Sequence, residues 1–340
     1  MKIVSCRPTI TRKDLENVLD RLISEDLAAG SAVRAFESSI AELTGLKYSL
    51  AVTSLTAAYH LVFLALGLKG GDEVILPSFF YPEPLSVLSS AGAKPVLVDC
   101  DTDSPFMQQD EIRKKISQNT KAVITGHLFG FHPDPECMKE YDIPVIEDIS
   151  HSFGTGAPGT TASFTVASFS PSMIITTGNG GAVLTRSAKY FSVMKDLQGT
   201  GKSSVHYDYA MTDFQAAMGL SQLSKLGEFI RRRRGIAQTY HDALRITPHR
   251  ALMNYDENSA YQSFPILFDA PAEKTEQFFK KGGIEIIRPL ERPLHAILGF
   301  PAAEFPRSER LAKKIFSPPI YPALSKSEIE KISKTIAQFI

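Results

Sequence analysis

Between residues 48 and 148, apolar segments of strand length alternate with segments of helical periodicity, and no other feature of this 340-residue chain restricts its fold so strongly. Residues 48–52 read as a buried strand, 53–56 as a polar turn, and 57–66 as the helix that this turn opens. Lys69-Gly70-Gly71-Asp72 closes that unit before a second strand at 73–76. The alternation continues with a strand at 94–99, a helix at 109–117 and strands at 122–125 and 144–148. Such a pattern predicts an α/β fold with a mostly parallel sheet covered on both faces. Ligands on such sheets collect at the carboxyl ends of the strands. That rule groups residues 53–57, 77–81, 127–130 and 148–154 as one rim.

Helical periodicity flanks this core at 12–25, with Thr11 placed as an N-cap, at 33–43, and over a long stretch from 213 to about 240. Beyond it, Pro-rich short strands and helices at 273–281 and 327–340 predict a smaller C-terminal α+β domain. The expected division is 1–234 and 235–340. Thirty-seven basic residues balance thirty-seven acidic ones, which gives no net field for nucleic acid or anionic lipid. The one dense basic run, Arg231 to Arg234, reads as a solvated or interface face of a helix. Cys6, Cys100 and Cys137 are widely spaced and odd in number, against both a disulfide framework and a zinc site. No signal core or run of eighteen apolar residues is present, so a cytoplasmic, non-membrane protein is expected.

Two nucleotide-binding templates fail. Gln198-Gly199-Thr200-Gly201-Lys202-Ser203 resembles a phosphate loop, but Asp196 stands where its leading glycine is required. The first strand-to-helix turn, Thr53-Ser54-Leu55-Thr56-Ala57, is no G-x-G-x-x-G. A third set of motifs holds in consistent order along nearly the whole chain. Gly71-Asp72-Glu73-Val74-Ile75-Leu76-Pro77-Ser78, Ala91-Gly92-Ala93-Lys94-Pro95-Val96-Leu97-Val98-Asp99, His127-Leu128-Phe129-Gly130, Val145-Ile146-Glu147-Asp148 and Gln215-Ala216-Ala217-Met218-Gly219 resemble motifs of the DegT/DnrJ/EryC1/StrS sugar aminotransferases.

That resemblance implies the fold type I large domain of pyridoxal-phosphate transferases, a homodimer with shared sites, and action on a nucleotide-linked sugar. It implies roles for several residues. Asp148 matches the carboxylate that holds the pyridine nitrogen protonated; a strand-end carboxylate can instead cap the next helix. His151 falls where the family has Gln or His beside the cofactor. Tyr81 matches an aromatic residue lying against the ring, although Phe79, Phe80 and Tyr81 could all be plain core. Ser54, Thr56 and Ala57 lie in the phosphate turn, and Ser168 matches a phosphate-binding serine.

The departures are as informative. The stretch Ser168-Phe169-Ser170-Pro171-Ser172-Met173-Ile174-Ile175-Thr176-Thr177-Gly178-Asn179-Gly180-Gly181 resembles the family's S-F-x-P-x-K-x-I-T-T-G-E-G-G, with Met173 where the Schiff-base lysine stands. A thioether forms no imine and carries no proton near neutral pH. No lysine lies between Lys139 and Lys189, so no shift of register supplies one. Leu55 replaces a glycine of the phosphate turn. Asp208 falls where an asparagine reaches the neighbouring subunit's cofactor phosphate, Ala210 where an arginine follows, and Ser163 where relatives tend to have Asp.

The expected function is therefore a sugar-aminotransferase-like protein of nucleotide-sugar or surface-polysaccharide metabolism without lysine-dependent transamination, a candidate pseudoenzyme. The alternative is an aminotransferase or dehydratase acting on a nucleotide-linked keto sugar with pyridoxal or pyridoxamine phosphate held noncovalently, and with His151 as the nearest possible base. Loss of the cofactor altogether, or reuse of the pocket for another ligand, completes the set.

Overall fold

The structure is a computed structural model that describes residues 2–24, 27–134, 142–156, 162–199 and 206–339. Its main sheet has seven strands: β1 (Tyr48–Val52), β2 (Glu73–Pro77), β3 (Lys94–Val98), β4 (Thr120–Gly126), β5 (Val145–Asp148), β6 (Phe164–Ser168) and β7 (Gly181–Thr185). They lie in the order β1-β7-β6-β5-β4-β2-β3, and of the seven only β7 runs antiparallel to its neighbours. Helices α1 (Arg12–Ile23), α2 (Ser31–Thr44), α3 (Leu55–Leu66), α4 (Glu83–Ala91), α5 (Gln109–Lys115) and α6 (Ala188–Gln198) accompany them, followed by α7 (Asp213–Leu223) and α8 (Leu226–Leu244). The expected α/β architecture with a mostly parallel sheet is what the chain forms.

Both faces of the sheet are covered, which is why its strands read as apolar runs. Val74, Leu76, Ile124, Ile146 and Val166 pack with Ala58, Leu61 and Val62 of α3. Ala51, Ala167, Ala182 and Leu184 face the other way, against Phe36 and Ile40 of α2. Each large apolar side chain so buried contributes about 1.5–3 kcal/mol. The two strands not anticipated, β6 and β7, are buried at every position. Their Thr, Ser, Ala and Gly content hides them from a reading based on apolar runs.

The long helical stretch from 213 is two helices, a correction to the single segment expected. Ser224 and Lys225 form the break, and the turn carries Lys225 back to α1, where its Nζ donates to Asp14 Oδ1 at 2.6 Å and to Thr11 Oγ1 at 3.0 Å. Burial pushes the Asp14 carboxyl up, but the bonds from Lys225 and Thr11 outweigh it and hold the group down at about 2. Asp213, at the start of α7, accepts from the backbone N–H groups of Gly30, Ala32 and Val33, and so caps α2 from outside. Thr11 caps α1 in a capping box with Asp14, as its position predicts.

The chain then builds a three-stranded antiparallel sheet, β10-β9-β8, from β8 (Arg250–Ala251), β9 (Ile266–Leu267) and β10 (Ile315–Phe316), with α9 (Ala272–Lys281), α10 (Leu294–Leu298), α11 (Pro306–Lys314) and α12 (Lys326–Gln338). Helix α8 runs unbroken across residue 234. The basic run on it is not simply a solvated face. Arg233 is buried and donates to the carbonyls of Tyr261, Gln262 and Ile320, while Arg232 donates to Leu324 O and Arg234 to Ser259 O. Guanidinium forks suit such clusters of loop carbonyls, so three of the four arginines staple the C-terminal loops to α8.

Among the described residues, Cys6 and Cys100 are free thiols and no group of side chains could hold a metal ion; Cys137, like Lys202, lies outside them. No described helix is long and apolar enough to cross a membrane.

Candidate active site

At the carboxyl edge of the sheet lies a cavity of about 380 Å³. All four segments predicted to form one rim contribute to its wall: Ser54, Leu55 and Thr56 after β1, Phe80 and Tyr81 after β2, His127 after β4, and Asp148 and His151 after β5. Ser168, Met173 and Asn179 close the side next to β6. The fold therefore brings together Ser54, Thr56, Tyr81, Asp148, His151, Ser168 and Met173. Ala57 does not line the cavity; it is buried, and its N–H donates to Ser54 Oγ at 3.1 Å, capping α3.

Asp148 ends β5 with its side chain buried. Its Oδ2 accepts from the Tyr59 hydroxyl at 2.7 Å and its Oδ1 from the Ser150 N–H at 2.9 Å. Burial pushes its carboxyl up, and the bonds from Ser150 and Tyr59 oppose that rise. The carboxylate thus serves two partners of its own chain and still borders the cavity. Tyr59 stands one turn inside α3, so the bond also fixes the helix whose N-terminus forms the opposite wall.

His151 is buried against Tyr81, the two rings meeting edge to face with centroids 4.8 Å apart. At that separation no third ring fits between them, so they form a single aromatic wall. The Phe129 N–H donates to His151 Nδ1 at 3.1 Å. That bond assigns the ring proton to Nε2, and burial, with His127 adding to it, holds the imidazole down at about 3. His151 is accordingly a neutral donor. With Nδ1 engaged by a backbone donor and the charged form disfavoured, the geometry offers little support for His151 as a base. Phe129 adopts φ +62° to present its N–H, and Gly130 follows at φ +102°, where a side chain would strike the backbone of Tyr261.

At the other end, the Ser54 and Thr56 hydroxyls stand at the N-terminus of α3, a position that favours an anion. Leu55, the first residue of that helix, is half-buried, packing on the core and lining the cavity wall. Ser168 Oγ accepts from the Ser170 N–H at 3.4 Å, and the Ser168 N–H donates to Ser150 Oγ. Asp208 is exposed and does not line the cavity of its own chain. Tyr209, next to it, bonds His60 through its hydroxyl at 2.8 Å and holds the segment against Thr53 by a backbone bond.

The sequence pattern of the DegT/DnrJ/EryC1/StrS aminotransferase family matches residues 8–337. The chain belongs to that family. A GDP-perosamine synthase from Escherichia coli O157:H7 is 31% identical over 98% of this chain and 97% of its own length. Among solved structures, the aminotransferase TlmJ from Streptoalloteichus hindustanus superposes with a TM-score of 0.92 at 26% identity, covering 98% of each chain. A Streptococcus pneumoniae protein, provisionally described as a sugar aminotransferase and solved in its PMP form, gives a TM-score of 0.92 at 24% identity over 99% of this chain and 97% of its own.

A family member's cofactor can be tried against these residues. A buried carboxylate for a ring nitrogen, an aromatic wall, and hydroxyls at a helix N-terminus for a phosphate make a donor and acceptor set that fits pyridoxal-type groups. None of the described residues lining the cavity is lysine or arginine. Among the lining residues, Glu83 fell outside every segment that the sequence singled out, although an acidic residue between two prolines at the start of α4, just after a predicted rim, is a signal that could have found it.

His151 generates a pH prediction. Its folded pKa lies below the ordinary value of about 6.5, so the unfolded chain binds more protons as pH falls, and folding loses up to about 2 kcal/mol from this group between pH 7 and pH 5. His151→Gln, whose amide oxygen can accept the Phe129 N–H, should gain about that much relative to the parent over this window in urea unfolding. A constant difference between the two proteins would show that His151 is not held neutral.

Proposed function

We propose that this family member acts in nucleotide-sugar metabolism, in a surface-polysaccharide type of pathway, and that it does not carry out lysine-dependent transamination. The observation that carries the reading is Met173 in the cavity wall, with no lysine among the described residues lining that cavity. The similarity to a GDP-perosamine synthase supports a nucleotide-linked sugar as the ligand class.

The retained half of the site favours a second reading, in which pyridoxamine or pyridoxal phosphate is held noncovalently. Asp148 would pair with the ring nitrogen, Tyr81 and His151 would form the wall against the ring, and Ser54, Thr56, Ser168 and the first N–H groups of α3 would hold the phosphate. When bound, such a group supplies an electron sink beside the substrate carbon. The chain itself contributes a low-dielectric wall and a hydrogen bond from the His151 Nε2–H. Met173 contributes bulk without a proton.

We further propose a homodimer, with residues 1–234 as the large domain and 235–340 as the small one. Support for self-association comes from α1, whose Leu15, Leu19, Leu22 and Ile23 form a helical stripe from 47% to 71% exposed. The Asp208 segment would then approach the partner's cavity. Leu19→Asp should convert the dimer to monomer in light scattering, and a parent protein that is already monomeric would contradict this part of the reading.

Met173→Lys tests the main proposal. If only the amine has been lost from an otherwise competent cup, the variant loaded with pyridoxal phosphate and reduced with borohydride gains one phosphopyridoxyl adduct at residue 173, read by peptide mass spectrometry. Absence of an adduct from the variant would show that the phosphate cup fails as well, and would restrict the site to a different ligand.

A further inference from the structure

Glu83 is the one carboxylate besides Asp148 that lines the cavity among the described residues, and its situation differs from that of Asp148. Asp148 has partners on both oxygens, whereas Glu83 Oε2 is buried with none. Leaving a charged acceptor desolvated and unpaired is expensive, and the structure offers no cation to relieve it: no lysine or arginine lines the cavity, and His151 is neutral. Burial first, and the charge of Asp148 after it, push the Glu83 carboxyl up, while a bond from its own backbone N–H opposes them.

A structural role accounts for only part of this. Glu83 opens α4, where an acidic side chain is favoured by the helix N-terminus. That explains the tolerance of a carboxylate but not the orphaned oxygen beside Tyr81 and Asp148. The terminal torsion of a glutamate is soft and broad, so the carboxylate can turn Oε2 towards a donor arriving in the cavity.

We propose that Glu83 sets what the cavity accepts: it takes a charge-assisted hydrogen bond from a protonated amine on the ligand, so that an amine-bearing pyridine phosphate is held in preference to its neutral counterparts. This rests on the reading of the cavity as a noncovalent pyridoxal-type site. The consequence is a division of labour between two carboxylates. Asp148 meets the ring nitrogen and Glu83 meets the exocyclic amine, while α3 meets the phosphate. Replacement of lysine by Met173 leaves this amine without a competing cation in the wall.

The test compares pyridoxamine phosphate with pyridoxine phosphate, which differ by an amine against a hydroxyl, by titration calorimetry on the full-length parent and on Glu83→Gln. The parent should bind the amine at least about tenfold more tightly, the scale of one charge-assisted hydrogen bond. Glu83→Gln, nearly isosteric and uncharged, should lose that preference and keep its affinity for pyridoxine phosphate within about twofold. A preference that survives in Glu83→Gln, a loss equal for both ligands, or a parent that binds both equally would overturn the role of Glu83 while leaving the noncovalent site standing. A parent that binds neither would overturn the cofactor reading and this inference with it.

Discussion

The bond between the Tyr59 hydroxyl and Asp148 Oδ2 joins the two halves of this site. It ties the first turns of α3, whose N-terminus favours an anion, to the end of β5, whose carboxylate favours a cation. Both groups are buried, so the bond works in a low-dielectric setting where an unpaired partner would be costly. The Ser150 N–H satisfies the other oxygen, and the Ser150 hydroxyl in turn accepts from Ser168. Through this short chain of bonds the ends of β5 and β6 are held in register with the helix opposite them. With Met173 rather than a lysine among the residues lining the cavity, the framework that would position a ring and a phosphate is still in place.

The electrostatics of the wall separate this site from one built around a lysine. Two carboxylates, neutral His151 and a row of hydroxyls leave it rich in acceptors and free of lysine and arginine among the described residues. Such a lining repels added negative charge except at the α3 N-terminus and rewards ligands that bring their own proton donors. The strained backbone at Phe129 belongs to the same design, since φ +62° is what aims its N–H at His151. Holding His151 as a neutral donor fixes the aromatic wall, at the expense of a basic nitrogen.

Much of this was legible in the chain before its structure. The strand and helix alternation gave the parallel core, and the carboxyl-edge rule grouped all four rim segments. Residues whose signal was local, Thr11 at its helix start or Asp148 at its strand end, fell where expected. What escaped was set by tertiary contacts. β6 and β7 are buried on both sides and need no strongly apolar run. The break at Ser224–Lys225 answers to Asp14, more than two hundred residues away in sequence. The arginine run looked like surface because nothing local reveals that Arg233 meets the carbonyls of Tyr261 and Ile320. The neutrality of His151 likewise depends on its burial and on His127, which follows the end of another strand.

The most direct measurement is a crystal structure of the parent protein soaked with pyridoxal phosphate. The account predicts a ring lying on the Tyr81 and His151 wall, its nitrogen at Asp148 and its phosphate at the start of α3, with a clear gap between the ring's aldehyde carbon and every side chain. Continuous density joining that carbon to a nitrogen of the protein would contradict it.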